Sequence, residues 1–153
     1  VKAVSRNLSF FWSRNEFEIA KLRGDKYYLY LVNLSRINDE DYALWYRDLS
    51  EELDKYHNKS VKFKAIVARD PNLPKNSAVV GRHVMTCCVD DIQFSGMIAI
   101  YKNECKLKSR DWVTLNGVLK IEPHKLYRGK GPVLYVESTD FAVKPSQEVA
   151  TFY

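Results

Sequence analysis

Cysteine is scarce in this chain of 153 residues, which contains three: Cys87, Cys88 and Cys105. That number is too small and too uneven for a disulfide framework, so it indicates reduced thiols. Long apolar runs are also missing, since no stretch approaches the roughly 18 residues that cross a bilayer as a helix. The first residues are mixed and aromatic, which is not the pattern of a signal peptide. Low-complexity stretches and internal repeats are absent as well.

The composition is that of a globular chain with enough apolar residues to bury a core. Hydrophobic residues make up 46% of the sequence and charged residues 28%. The length suits one domain, or one domain with an appendage. The net charge of +5 permits a polyanionic partner. It does not demand one, because the basic residues are interspersed with acidic ones.

Residues 1–37 are predicted to form a strand-helix-strand appendage to the main domain. Ser13 and Glu16 have the spacing of a capping box at the start of a helix. The helix is expected to run to Arg23 and to stop at Gly24. Residues 27–34 (YYLYLVNL) are rich in aromatic and aliphatic side chains, which favours a strand.

An amphipathic helix is predicted to begin the main domain, which we place at residues 38–153. Asn38 or Asp39 is expected to cap this helix. Its apolar residues recur at helical spacing and define one buried stripe: Tyr42, Trp45, Leu49, Leu53 and Tyr56. We expect Trp45 to pack the helix onto the strands that follow, and Trp112 to anchor the core between those strands.

From residue 59 onward, the hydrophobic pattern changes to a period of two. Val61, Phe63, Ala65 and Val67 occupy alternate positions, which is typical of a half-buried strand. Further strands are predicted at 78–90, 96–101, 110–121 and 132–142. Five strands beside one helix predict a mainly β fold with some α, in the form of a small OB-like β-barrel. Closure of the barrel would leave no exposed strand edge.

The segment GRHVMTCCVDD (81–91) carries the strongest chemical signal. In a regular strand Cys87 and Cys88 would point to opposite faces, so a bulge or a turn is needed before both bind one ion. With such a bend, Cys87 and Cys88 together with His83 or Asp90 would form a site for zinc or another soft metal or metalloid. The alternative is that the cysteines are small buried hydrophobic residues in the barrel interior. Cys105 is given no role.

Basic residues provide a second interpretation, because OB barrels commonly bind single-stranded nucleic acid. The candidate contacts to a polyanion are Lys62, Lys64, Arg69, Arg128 and Lys130. The rings of Tyr101, Tyr127 and Tyr135 are candidates for stacking on nucleotide bases. The alternative is that these are solvated strand faces, with the tyrosines in the core or at its rim. Basic surface alone is weak support for a nucleic-acid site.

Four stretches together resemble one bacterial family: VVGR (79–82), CCVDD (87–91), DWVTLNG (111–117) and PSQEVATFY (145–153). Residues 39–153 are similar to the soluble C-terminal domain of a family of permease subunits with a Cys-Cys-x-Asp motif. The resemblance implies two membrane spans ahead of this domain, a permease partner and membrane association of the full-length protein. The chain itself, which shows no span, is expected to be soluble. The resemblance implies an accessory role in transport rather than an enzymatic one.

The first residues resemble a different family. Lys2, the stretch FFWSRNE (10–16) and the stretch GDKYYLY (24–30) are similar to the end of the NO VEIN C-terminal domain, a relative of PD-(D/E)XK nucleases. Lys2 would match the lysine of that nuclease motif, and Glu16 the glutamate of the following helix. The carboxylates that hold the divalent ion would precede Val1, so the resemblance implies no cleavage by this chain.

Overall fold

The computed structural model describes residues 2–4, 21–24 and 31–152. Strand β1 (Lys2–Val4) pairs in parallel with strand β2 (Leu31–Asn33). These are the two strands predicted for the N-terminal segment. Residues 21–23 are helical and Gly24 has a φ of +52°, in agreement with the predicted helix end. The predicted capping box at 13–16 and residues 27–30 of the predicted strand lie outside the described residues.

Five further strands form one sheet. They are β3 (Ser60–Ala68), β4 (Ser77–Met85), β5 (Ile92–Ile100), β6 (Trp112–His124) and β7 (Gly129–Phe141). Their order is β3-β4-β5-β7-β6, and β6 pairs back with β3, so the sheet closes into a barrel. The pair β5–β7 is parallel, whereas the other pairs are antiparallel. The fold is therefore mainly β.

The helical elements are few. Helix α1 (Tyr42–Glu51) is followed by a 3-10 helix (Leu53–Tyr56), and a second 3-10 helix (Val89–Asp91) separates β4 from β5. Among the described residues, no helix is both long enough and apolar enough to cross a bilayer.

The alternation predicted for the first barrel strand is confirmed. On β3, Val61, Phe63, Ala65 and Val67 are each at most 1% exposed. These side chains fill the barrel interior because alternate residues of a strand point to the same face. The backbone of β3 also bonds the preceding segment, since the Lys62 N–H donates to the Leu34 carbonyl.

The core extends beyond the barrel. Val32, Leu34 and Ile37 are at most 5% exposed and belong to the same cluster of buried residues as Phe63 and Trp45. The boundary between an appendage and a main domain at 37/38 stays a prediction.

Helix α1 covers one end of the barrel, as its apolar stripe predicts. Trp45 is fully buried, and its ring centroid lies 5.0 Å from that of Phe63. The predicted cap is wrong: the N-cap residue is Asp41, and it makes no side-chain capping hydrogen bond. The prediction for Trp112 is also wrong, because this residue is only half-buried and lies outside the core cluster.

Strands β4 and β5 approach each other unusually closely at a pair of glycines. Gly81 pairs with Gly96, and a Cβ at position 81 would lie 2.2 Å from the Ser95 carbonyl oxygen. Only glycine fits at this distance. Helix α1 is fastened at the same point, since the Tyr46 hydroxyl donates to the Gly96 carbonyl at 2.7 Å and the Tyr42 hydroxyl to the Ser95 carbonyl at 2.8 Å.

The next residue, Arg82, is a buried charge that is 1% exposed. Its Nη1 donates to Oδ1 of Asp39 at 2.9 Å, and its Nη2 donates to the carbonyl of Gln147 at 2.8 Å. The guanidinium also lies against two aromatic rings, 5.6 Å from the centroid of Tyr42 and 5.5 Å from that of Trp112. This one side chain therefore joins β4 to the segment before α1 and to the C-terminal segment.

The C-terminal segment runs along the part of β4 beyond Gly81. The Ala150 N–H donates to the His83 carbonyl at 2.8 Å, and the Met85 N–H donates to the Ala150 carbonyl at 2.9 Å. These bonds form a parallel bridge between Val84 and Ala150. The end of β4 is thus held on one side by β5 and on the other by this segment.

Replacement of Arg82 tests how much the buried charge contributes to stability. Arg82→Met should lower the free energy of unfolding by about 2–4 kcal/mol, because the Asp39 carboxylate and the Gln147 carbonyl both lose a charged hydrogen-bond donor. The matched control is Lys64→Met, which removes a more exposed partner of the same Asp39 carboxylate. That change should cost at most about 1 kcal/mol. Urea unfolding measures both, and equal effects would contradict the structural role given to Arg82.

Candidate metal centre

The two adjacent cysteines lie in the loop of the β4–β5 hairpin. Strand β4 ends at Met85, which pairs with Ile92 at the start of β5, so residues 86–91 form the connection. The predicted strand 78–90 is therefore too long by five residues at its C-terminal end. The chain turns through the 3-10 helix at Val89–Asp91, and the Asp91 N–H donates to the Cys88 carbonyl at 3.0 Å.

This turn brings three potential ligands together. The two sulfurs of Cys87 and Cys88 and a carboxylate oxygen of Asp91 all lie within 4.8 Å of one another. The Cys87 thiol donates a hydrogen bond to Oδ2 of Asp91, and the Cys88 thiol donates to the same oxygen at 3.5 Å. Cys88 is the extended N-cap of the 3-10 helix and Asp91 is the last residue of that helix, so the turn brings the two side chains together.

The structure distinguishes between the two interpretations of the cysteines, which are exposed metal ligands or small buried hydrophobic residues. Both Cys87 and Cys88 are exposed, so the expectation of a small buried residue in the barrel interior is wrong for this pair. It holds instead for Cys105, which is 6% exposed and belongs to the hydrophobic core.

Two of the residues predicted as ligands lie outside this group of three. Asp90 is exposed, and the neighbouring carboxylate of Asp91 is the one that lies beside both sulfurs. His83 lies further back on β4, where its ring contacts that of Phe94 on β5 at 5.3 Å between centroids. With β4 continuing regularly to Met85, no bend carries His83 towards the loop.

Hydrogen bonding determines where the protons of this group reside. The carboxylate of Asp91 accepts from the Cys87 thiol and raises the pKa of Cys87 to about 11, with a smaller contribution from Cys88. The same bonds lower the pKa of Asp91. At neutral pH the proton therefore stays on sulfur, the thiol is a poor nucleophile, and a bound metal ion would displace that proton.

The donor set fits a borderline-soft or soft cation. Two thiolates and one carboxylate oxygen are ligands that Zn²⁺ accepts, with bonds of about 2.3 Å to sulfur and about 2.0–2.2 Å to oxygen. Thiolates also select Cu(I) among the transition metals. Cys87, Cys88 and Asp91 would hold such an ion as three protein ligands.

The residues predicted to contact a polyanion are largely engaged within the protein. Lys64 forms an ion pair with Asp39 at 2.9 Å. Nη1 of Arg69 donates to the Ser77 carbonyl at 3.0 Å. Neither side chain is free to bind phosphate without losing these bonds.

The remaining three basic residues do not form one surface patch. Lys130 pairs with Asp54 at 2.7 Å, whereas Lys62 and Arg128 are exposed. Lys62 and Lys130 lie opposite positions 116 and 123 of β6. Those positions are about 23 Å apart along an extended strand.

The tyrosines predicted to stack on bases are packed against the protein. Tyr127 and Tyr135 pack against a small cluster that contains Ile98, on the outer face of the barrel. The Ile98 N–H donates to the Tyr127 hydroxyl at 3.2 Å, and burial raises the pKa of Tyr127 to about 12. The third, Tyr101, packs against the main core. The loop that contains Leu73 covers part of the same outer face.

The fold and the site define a small, mainly β domain that carries an exposed thiol–carboxylate cluster on a hairpin. The sequence profile of the DUF1980 C-terminal domain matches residues 27–150, and the chain belongs to this family. The profile of the C-terminal domain of protein NO VEIN matches residues 1–45. In that part, Lys2 lies on β1, whereas Glu16 lies outside the described residues.

Among solved structures, the similarities are distant. The OBody AM2EP06 bound to hen egg-white lysozyme is 11% identical, with a TM-score of 0.39, over 57% of this chain and 82% of its own. The aspartyl tRNA synthetase from Entamoeba histolytica is 15% identical, with a TM-score of 0.39, over 62% of this chain. The chain spans 21% of that synthetase. A search of the curated proteins finds no match.

Substitution of Asp91 tests the origin of the raised thiol pKa. In a Cys88→Ser background, Asp91→Asn should speed alkylation of Cys87 by iodoacetamide about tenfold near pH 8, because the pKa falls toward the ordinary value of about 8.5. The matched control is Asp90→Asn, which removes the adjacent exposed carboxylate. Mass spectrometry of the alkylated peptide gives the rate, and an equal acceleration in both variants would contradict a specific role for Asp91.

Proposed function

We propose that this chain is a non-enzymatic accessory domain of a membrane permease system, which binds a soft metal ion or metalloid through Cys87, Cys88 and Asp91. The observation that carries the proposal is the convergence of three ligand atoms within 4.8 Å on an exposed hairpin. Membership of the DUF1980 C-terminal domain family is consistent with an accessory domain.

We assign the barrel to the OB type. Support comes from the strand order β3-β4-β5-β7-β6, in which the first strand pairs with both the second and the fourth. A five-stranded Greek-key barrel of this kind presents its loops as binding elements. The thiols lie on the loop that joins the second and third barrel strands, β4 and β5, which form the usual binding face of this fold.

The transport role rests on the four stretches that resemble the permease-subunit family. Two of them, 79–82 and 87–91, coincide with the elements that build the hairpin, namely Gly81, the buried Arg82 and the three ligands. The partner is then a membrane-embedded permease, and membrane association comes through that partner or through spans of the full-length protein.

A non-enzymatic role agrees with the protonation of the thiols. A catalytic cysteine needs a lowered pKa, because the thiolate is the attacking species. Here the Asp91 carboxylate raises the pKa of Cys87 to about 11, which suppresses nucleophilic attack. A site of this kind is suited to binding an ion that displaces the proton.

The alternative function, binding of single-stranded nucleic acid, has less support. Lys64, Arg69 and Lys130 are engaged in bonds within the protein, and Tyr127 packs against the outer cluster. The proposal of metal binding therefore takes precedence.

Calorimetric titration with zinc, copper(I) and arsenite tests the proposed function. Wild-type protein should bind one ion per chain, whereas the double variant Cys87→Ser, Cys88→Ser should lose binding. Cys105→Ala is the matched control, because it removes a buried thiol outside the loop and should bind as the wild type does. Buffers of different ionisation enthalpy should reveal release of the thiol protons at neutral pH. Equal binding by the double variant would exclude the proposed site.

A further inference from the structure

We propose that the hairpin is an exchange site, from which the bound ion passes directly to an acceptor that supplies a thiolate. This inference rests on the proposed function and specifies the chemistry of the partner. Three features of the described residues support it: a set of three ligands, open access to both sulfurs, and a hairpin held by backbone hydrogen bonds.

The ligand set falls one short of a closed zinc site. Structural zinc sites are surrounded by four protein ligands, whereas sites that exchange or activate a ligand keep one position open. Within the part of the chain that the structure describes, the group contains three ligands: Cys87, Cys88 and Asp91. The fourth position is therefore available to a ligand from outside the described residues.

Access to the sulfurs is unobstructed at the tip of the hairpin. Cys87 and Cys88 are exposed, and so are Thr86 and Asp90 on either side of the pair. The intervening Val89 is 75% exposed, so its apolar side chain projects from the turn rather than covering the sulfurs. An incoming thiolate can thus reach the ion while both cysteines are still bound.

The hairpin is held by backbone bonds that are separate from the three ligand atoms. Met85 pairs with Ile92 at its base, Ala150 holds Met85 from the other side, and the Asp91 N–H closes the turn. The thiols of Cys87 and Cys88 both donate to the Asp91 carboxylate. Exchange of the ligands of a bound ion would therefore leave these backbone bonds in place.

The exchange is balanced without any change of oxidation state. The first bond between the ion and an acceptor thiolate fills the open fourth position, and each later bond replaces one to Cys87, Cys88 or Asp91. The released Cys87 and Cys88 thiolates take up protons from water, and their thiols again donate to the carboxylate.

Stopped-flow transfer of zinc tests the inference. Zinc-loaded protein is mixed with an excess of the chromophoric chelator 4-(2-pyridylazo)resorcinol, with glutathione as the thiolate probe at increasing concentrations. If the fourth position is open, doubling the glutathione concentration should double the rate constant of zinc transfer. A rate constant that does not change with glutathione would show that the ion must dissociate first, and would overturn the inference.

Stoichiometry and mass, measured on the same samples, separate the two proposals. No bound zinc at all would refute the proposed metal-binding function. One zinc per chain with a rate that is insensitive to glutathione would refute only the exchange. One zinc per two chains, with a doubled mass in light scattering, would also refute it, since two copies would then close the site with four thiolates.

Discussion

The buried guanidinium of Arg82 holds together three parts of this protein that are distant in sequence. Removal of a charge from water is costly unless it is paired and hydrogen-bonded. Arg82 meets this requirement with Asp39 on one side and the carbonyl of Gln147 on the other. The segment before α1, strand β4 and the C-terminal segment must therefore come together for the charge to be buried.

The geometry of the thiol hairpin follows from this arrangement. Because the C-terminal segment is held by Arg82, Ala150 can bond the last residues of β4, and Met85 becomes a fixed end of the strand. The chain then has six residues in which to return to Ile92. The tight 3-10 turn in that connection places the Asp91 carboxylate beside both sulfurs. The turn thereby brings three potential metal ligands together.

The sequence predicted the features that depend on local periodicity. The alternating buried residues of β3 and the apolar stripe of α1 are predicted correctly. Both depend only on the spacing of apolar residues, which is two in a strand and three or four in a helix. The end of β4 is predicted five residues too late, because the turn residues Asp90 and Asp91 lie at the end of the connection and not at its start. Which of the two carboxylates lies beside the sulfurs depends on the conformation of that turn, and the sequence does not specify it.

The burial of Arg82 could not be predicted either, because arginine is seldom fully buried and its partners are 43 and 65 residues away in the chain. The most direct test of the central claim is X-ray absorption spectroscopy of the zinc-loaded protein. The account predicts two sulfur neighbours at about 2.3 Å, with the other neighbours oxygen at about 2.0–2.2 Å. A first shell with only oxygen or nitrogen, or with four sulfurs, would contradict the site formed by Cys87, Cys88 and Asp91.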